Sequence, residues 1–362
     1  MSIITSRLAL TGSAALIAGA VFAVPASAGE TVDGPPTPQI HDIGCTEFDR
    51  YQTLTPNDTL TLITAYHNPD QAQGFVVVYA VDEAGEAISF NHLIGSQMVI
   101  NGIDRFEYSV NPVDFRSPVE DGGATDLDSD DVRDLDGSEY ETCPDELLVP
   151  RFIGQTSYAQ MPTAAAGGPY SSSLILIDLN SGANFNTTVD FLTYNDNEEV
   201  FSGEYTFNCW ENPRLLDISG IFAQGFLKDF TGHNPNESVG GRETGWFRFQ
   251  GALANSVNTT IADPAIYGVF VERVGGYAVA DLPFEIGSRD GHVLPRVITG
   301  DNSEAGDFDG AAAPVERRHP GSLLLYPEFN NLYGELTLLT ITNESATDEV
   351  RVHFVYYGKY GN

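Results

Sequence analysis

The segment 321–362 constrains this chain more than any other. It reads as three strands, Leu323-Leu-Leu-Tyr326, Leu336-Thr-Leu-Leu-Thr-Ile341 and Val350-Arg-Val-His-Phe-Val-Tyr356, followed by nothing that would finish a sheet. Three strands of this kind make about half a β-sandwich. Half a sandwich leaves an open sheet edge and an apolar face, neither of which is stable alone in water. The tail is therefore expected to be completed by another part of the chain, or by another copy of it.

The rest of the sequence supports an all-β fold. It holds 36 Gly, 20 Pro, 21 Phe and 16 Tyr, and no long stretch carries helical periodicity, a composition of short strands and many turns. Gly74-Phe-Val-Val-Val-Tyr-Ala-Val81 is apolar on both faces, as a central strand would be. The expected class is two Ig-like β-sandwich domains, the first discontinuous and closed by the C-terminal strands in cis or in trans. The expected boundaries are 1–28 signal peptide, 29–44 flexible arm, 45–119 first sandwich, 120–146 acidic loop, 147–288 second sandwich, 289–320 linker and 321–362 closing strands.

The signal-peptide reading rests on Arg7, the apolar run Leu8 to Val24 and the Ala26-Ser-Ala28 site. It implies an exported protein, with exterior and periplasm both open. No other run approaches membrane-spanning length. The formal charge of −34 excludes attraction to nucleic-acid backbones and anionic membranes. It suits a saline exterior or divalent cations. Of three cysteines, Cys45 and Cys143 bracket the first domain and are the preferred disulfide. Cys209 could instead pair with Cys143, and three thiols remain open.

Internal repetition supports the two-domain reading. Leu60, Leu62 and Ile63 match Leu174, Leu176 and Ile177, and Phe75 and Val77 match Val189 and Phe191. The tail matches the same region, with Leu336, Leu338, Val352 and Phe354 on Leu174, Leu176, Val189 and Phe191. Leu147-Leu-Val-Pro-Arg-Phe152 matches Leu324-Leu-Tyr-Pro-Glu-Phe329. The middle copy reads as complete and the other two as complementary fragments.

Several strings, among them Asn57-Asp-Thr-Leu-Thr-Leu-Ile-Thr64, Tyr170-Ser-Ser-Ser-Leu-Ile-Leu-Ile177 and Gly321-Ser-Leu-Leu-Leu-Tyr-Pro-Glu-Phe329, resemble a group of exported bacterial β-sandwich proteins of no established function. In that group the Leu-Leu-Leu-Tyr-Pro-Glu-Phe type of stretch precedes the Thr-Leu-Thr-Leu-Ile-Thr type. The resemblance implies that the tail here sits at the opposite end of the chain from its structural partner.

Residues 120–146 hold twelve Asp or Glu against one Arg133. Asp126-Leu-Asp-Ser-Asp-Asp-Val-Arg-Asp-Leu-Asp-Gly137 resembles thrombospondin type 3 calcium repeats and the start of an EF-hand loop. Alternate carboxylates of a tight loop suit Ca²⁺, with Asp126, Asp128, Asp130, Asp134 and Asp136 as candidate ligands. The sixth position is Asp131 instead of Gly and the twelfth is Gly137 instead of Glu, for which Glu139 or Asp136 is a substitute. A solvated acidic loop is the plain alternative.

No sequence pattern marks an enzyme: seven histidines are scattered singly, with no HExxH, GxSxG or phosphate-binding loop. Trp210, Trp246 and Tyr267 can line a sugar-binding face or pack in a core. The expected function is a secreted, non-enzymatic structural or surface-assembly protein; closure in cis is the simpler case, and closure in trans would give self-association through the C-terminal strands. The alternative is a monomeric module binding a surface protein or glycan.

Overall fold

The computed structural model describes residues 45–103, 105–156, 170–180, 185–195, 198–231, 243–256, 260–274, 277–289, 291–293 and 319–359. The signal peptide, the arm and most of the 289–320 linker lie outside the described residues. Among those described, no helix is long and apolar enough to cross a membrane.

The N-terminal strands are β1 (Thr46–Leu54), β2 (Thr59–Ile63), β3 (Gln73–Val81), β4 (Leu93–Asn101), β5 (Phe106–Val110) and β6 (Val113–Phe115). A two-residue strand β7 (Arg133–Asp134) follows in the acidic loop. The central block holds β8 (Glu146–Ile153), β9 (Ser173–Asp178), β10 (Asn186–Asn195), β11 (Val200–Phe207) and β12 (Trp210–Glu211). It continues with β13 (Thr244–Asn255), β14 (Thr260–Ala262), β15 (Ile266–Val274), β16 (Tyr277–Asp281) and β17 (Phe284–Ile286). After β18 (His292–Val293), which pairs β7, come the tail strands β19 (Leu323–Asn330), β20 (Glu335–Asn343) and β21 (Val350–Gly358).

All pairings between these strands are antiparallel. The first sandwich consists of sheets β1-β21-β3-β19-β6 and β2-β20-β4-β5; the second consists of β11-β10-β13-β8-β17 and β12-β9-β15-β16. Each tail strand therefore lies between two strands of the N-terminal segment, and the first domain closes within its own chain. Every residue of β19 and all but one of β21 is buried, as the apolar runs Leu323–Tyr326 and Val352–Tyr357 require.

The two sandwiches have the same strand order, and one is a circular permutation of the other. Strands β19, β20, β21 and then β1 to β6 occupy the places of β8, β9, β10, β11, β12, β13, β15, β16 and β17. Where the second sandwich turns from Tyr194 to Val200, the first has Tyr357 paired with Glu47. The register agrees in detail. The ladder slips at Pro150 between β8 and β13 and at Pro327 between β19 and β3, where a residue without an N–H forces a bulge. Opposite these bulges sit Gly245 and Gly74. A Cβ on Gly245 would lie 2.1 Å from the Tyr194 carbonyl oxygen, and one on Gly74 1.8 Å from that of Tyr357.

This topology corrects the sequence repeat. The β19 and β21 matches are structural, but β2 and β3 stand in for β12 and β13, so matching Leu60 to Leu174 and Phe75 to Val189 reflects only shared strand composition. The register of β20 also moves. Leu339 and Ile341 face the core while Leu336 and Leu338 point outward, and Asn343 accepts the role of Asp178: their N–H groups donate to the carbonyls of Asp58 and Cys209.

The four sheets form one stack. Val76, Val78 and Ala80 of β3 pack with Leu324, Tyr326, Phe354 and Tyr356 inside the first sandwich. The alternate residues Phe75, Val77 and Tyr79 belong instead to a second core, continuous with Ile175, Ile177 and Tyr267 of the second sandwich. Strands β9 and β15 are buried on both faces likewise. Phe270 meets Phe247 across the second sandwich, while Trp210, opposite Ile177, donates its indole N–H to the Pro327 carbonyl of the first, at 2.8 Å.

Candidate metal centre and the joint between sandwiches

The acidic loop folds through its own carboxylates. Asp126 accepts the backbone N–H groups of Ser129 and Asp131 at 2.8 and 3.1 Å. Asp128 accepts that of Asp130, and Asp130 that of Val132. The turns place Ser129 at φ 65° and Asp131 at φ 67°. The sixth loop position thus takes the left-handed conformation that glycine would ease, with an aspartate, a residue that tolerates it.

Three of the five candidate ligands converge. One oxygen each from Asp126, Asp128 and Asp130 lies within 4.8 Å of the others. Burial, with added repulsion from Asp128 and Asp134, raises the Asp130 carboxyl above its ordinary range. The other two candidates stand apart. Asp136 caps its own turn, accepting the Ser138 N–H at 2.7 Å and the Ser138 hydroxyl at 2.8 Å. Asp134 is in β7, paired with His292. Glu139 is turned inward: its carboxylate accepts the N–H groups of Leu127 at 2.5 Å and Asp134 at 3.1 Å. Burial pushes its carboxyl up to about 7 against the pull of those two amides. Hard oxygen donors in this set fit Ca²⁺, with three carboxylates from the chain.

Arg133 is the countercharge that the sequence alone could not place. Its side chain is buried, with the guanidinium 3.2 Å from Asp131, 3.9 Å from Asp126 and 5.4 Å above the Tyr79 ring. Tyr79 belongs to a buried chain of hydrogen bonds. Its hydroxyl meets His353 Nδ1 at 2.9 Å, and His353 Nε2 meets Asp49 at 2.9 Å. The acidic loop is thereby seated on the sheet face that the tail helps to build. His353 is a satisfied core histidine.

The disulfide expectation is corrected. Cys45 bonds to Cys209, not to Cys143. Cys143 is a fully buried thiol whose sulfur packs beside Gly291, whereas Cys209 sits in the β11–β12 turn at φ 60°, beside the start of β1. The crosslink joins the two sandwiches. Beside it, Lys359 pairs with Glu211, and Glu328 accepts a hydrogen bond from the Tyr108 hydroxyl. Asn212 also reaches Glu328, at 3.5 Å. Burial pushes the Glu328 carboxyl up to about 7, with Glu335 adding to the shift.

Trp210 and Tyr267 are buried at this joint. Trp246 lies elsewhere, stacked on Tyr194 with centroids 4.0 Å apart. The three aromatics do not share a face.

No family model matches the chain, and no curated protein matches it. Among solved structures it is similar to a crystal structure of the infectious bursal disease virus VP2 subviral particle, with 9% identity, coverage of 91% of this chain and 84% of that chain, and a TM-score of 0.14. It is likewise similar to a structure of infectious bursal virus derived T=1 particles, with 8% identity, coverage of 88% and 82%, and a TM-score of 0.12. At these scores neither likeness carries an argument about fold or function.

Proposed function

We propose that the chain is an exported, non-enzymatic structural protein: a stiff spacer of two stacked sandwiches, closed within one molecule. The observation that carries this reading is the joint. An apolar core runs unbroken between the sandwiches, and a disulfide crosslinks them. Domains meant to hinge meet instead through small polar interfaces. The disulfide is in keeping with export. Two histidines have packing roles in this reading: His353 is held by Tyr79 and Asp49, and His67 is bonded to Tyr356 and kept neutral by burial, with its pKa lowered to about 4. A structural Ca²⁺ held by Asp126, Asp128 and Asp130 belongs to the same reading, stiffening the loop that leads from one sandwich into the other.

Small-angle scattering and light scattering of the mature chain test it. A monomer with one fixed elongated envelope is expected. A spread of interdomain angles would overturn the spacer. A ladder of multiples that disappears when the chain ends at Gly310 would overturn closure in cis and make the tail a donated strand set. For calcium, a melting temperature that chelator leaves unchanged removes the ion from the account.

A further inference from the structure

The permutation pairs every position of one sandwich with one of the other, and the two outer sheet faces so related have different fates. In the first sandwich the face bearing Phe75, Val77, Tyr79, Val355 and Tyr357 is covered, by the second sandwich and, over Tyr79, by the acidic loop. In the second, the corresponding positions hold Trp246, Arg248, Gln250, Leu192 and Tyr194. This face is open, and its Asp190, Leu192, Glu204, Arg248 and Gln250 line a cleft of about 630 Å³, with Tyr194 and Trp246 beyond its lining. Even the aromatic pair is retained: Tyr194 stacks on Trp246 as Tyr357 stacks on Phe75. In the first sandwich this pair is buried, whereas Tyr194 and Trp246 are half-buried.

The substitutions define what can cover it. Across one row of the sheet Glu204 lies opposite Asp190, and Asp190 opposite Gln250. In the next row Leu192 lies opposite Arg248, whose guanidinium is 3.2 Å from Glu146. Tyr194 and Trp246 follow one row further. From Asp190 to Tyr194 the face extends ~13 Å at the usual strand rise. It offers carboxylate acceptors, amide and guanidinium donors and an aromatic block, without the apolar area that a stacked sandwich needs. Burial and the facing Glu204 raise the Asp190 carboxyl, as expected of acids crowded in a partly enclosed groove. Carboxylates outnumber the lone arginine here, which disfavours anionic ligands.

We propose that the outer face of the β11-β10-β13-β8 sheet is a binding site for a short neutral oligosaccharide. Sugar hydroxyls donate to Asp190 and Glu204 and accept from Gln250 and Arg248, and the C–H face of a ring rests against the Tyr194–Trp246 block. The site goes beyond the spacer role and does not depend on it.

The test uses the full mature chain on a glycan array carrying neutral and sialylated or sulfated oligosaccharides, followed by calorimetric titration of the best neutral binder. Binding to a neutral glycan is expected, weakened about tenfold in Asp190→Asn and in Gln250→Ala, with the melting curve unchanged. Trp246→Ala weakens it further, and the two polar variants keep the test valid if that one folds poorly. Silence across the neutral glycans overturns the proposal. So does preference for anionic glycans, or neutral binding that all three variants retain. A concentration-dependent doubling of mass, lost in Trp246→Ala, assigns the face to a second copy and also overturns it.

Discussion

The two sandwiches share one strand order and differ in where the chain is cut. The second is continuous from β8 to β17, while the first is assembled from two segments with the second inserted between them. Identical scaffolds tolerate this because a sheet is held by cross-strand pairing and face packing, which are indifferent to connectivity. What the cut changes is dependence. The second sandwich draws its strands from one run of sequence. The first cannot form before its last strand is made, since β21 is flanked by β1 and β3 and β20 by β2 and β4.

The sharpest way to break the comparison is to remove the tail. A chain ending at Gly310 loses three strands from the first sandwich and none from the second. We expect the first to unfold wholly and to expose the joint face of β9 and β15 as well. Hydrogen exchange should show no protection over residues 46–115 and some persistence over 186–207. Native-like protection of β3 in the truncated chain would mean that the N-terminal segment folds without its partner strands.

Next in size are the equivalent glycines. Gly74→Ala and Gly245→Ala each drive a Cβ to about 2 Å from a neighbouring carbonyl oxygen, and each should cost at least ~2–3 kcal/mol. Equal losses in denaturant titrations would support the structural equivalence. A large loss at one and none at the other would break it. The disulfide comes third. It joins the sandwiches across 164 residues, so Cys45→Ser or Cys209→Ser should lower stability by ~2–4 kcal/mol. Peptide mapping should find the Cys45–Cys209 link intact in Cys143→Ser.

How much of this is legible in the sequence follows from where each signal lives. Strands buried on both faces announced themselves: Gly74 to Val81 and Leu323 to Tyr326 are continuous apolar runs. The Leu-Leu-x-Pro-x-Phe pair was readable because its proline fixes the same bulge twice. Strand β1 was not, since its apolar residues Phe48, Tyr51 and Leu54 recur every three positions on an edge where partial exposure relaxes the alternation. The β20 register was ambiguous because Leu336, Leu338, Leu339 and Ile341 offer apolar residues to both faces. In the candidate metal site, the alternate aspartates lie in a loop that turns on their own carboxylates. That Asp136 and Glu139 serve backbone amides is decided by how the loop folds on itself, and the burial of the Arg133 cation depends on a contact with Tyr79 that no local pattern encodes. The cysteine pairing failed for a related reason: it bridges domains, and bracketing one domain was the wrong criterion.

The smallest effect is one of pH. Two carboxyls, Glu328 at the joint and Glu139 under the acidic loop, are pushed by burial from the ordinary 4.5 up to about 7. In the unfolded chain both ionise near their ordinary value. Between pH 4.5 and about 7 the folded state therefore holds more protons than the unfolded state, and stability falls as pH rises through that window and levels off above it. This is opposite to the trend set by carboxylates whose ionised form is favoured by the fold. Glu328→Gln keeps the size and a hydrogen-bonding group but cannot ionise, so it should flatten the decline in unfolding free energy measured from pH 5 to 8. Glu139→Gln should flatten it too, and should also loosen the loop, because the amides of Leu127 and Asp134 lose a charged acceptor. A pH profile that neither substitution alters would locate the proton linkage elsewhere. It would also mean that the Glu328 carboxyl is better solvated than its place between Tyr108 and Asn212 implies, and that the two sandwiches part more readily than their shared core suggests.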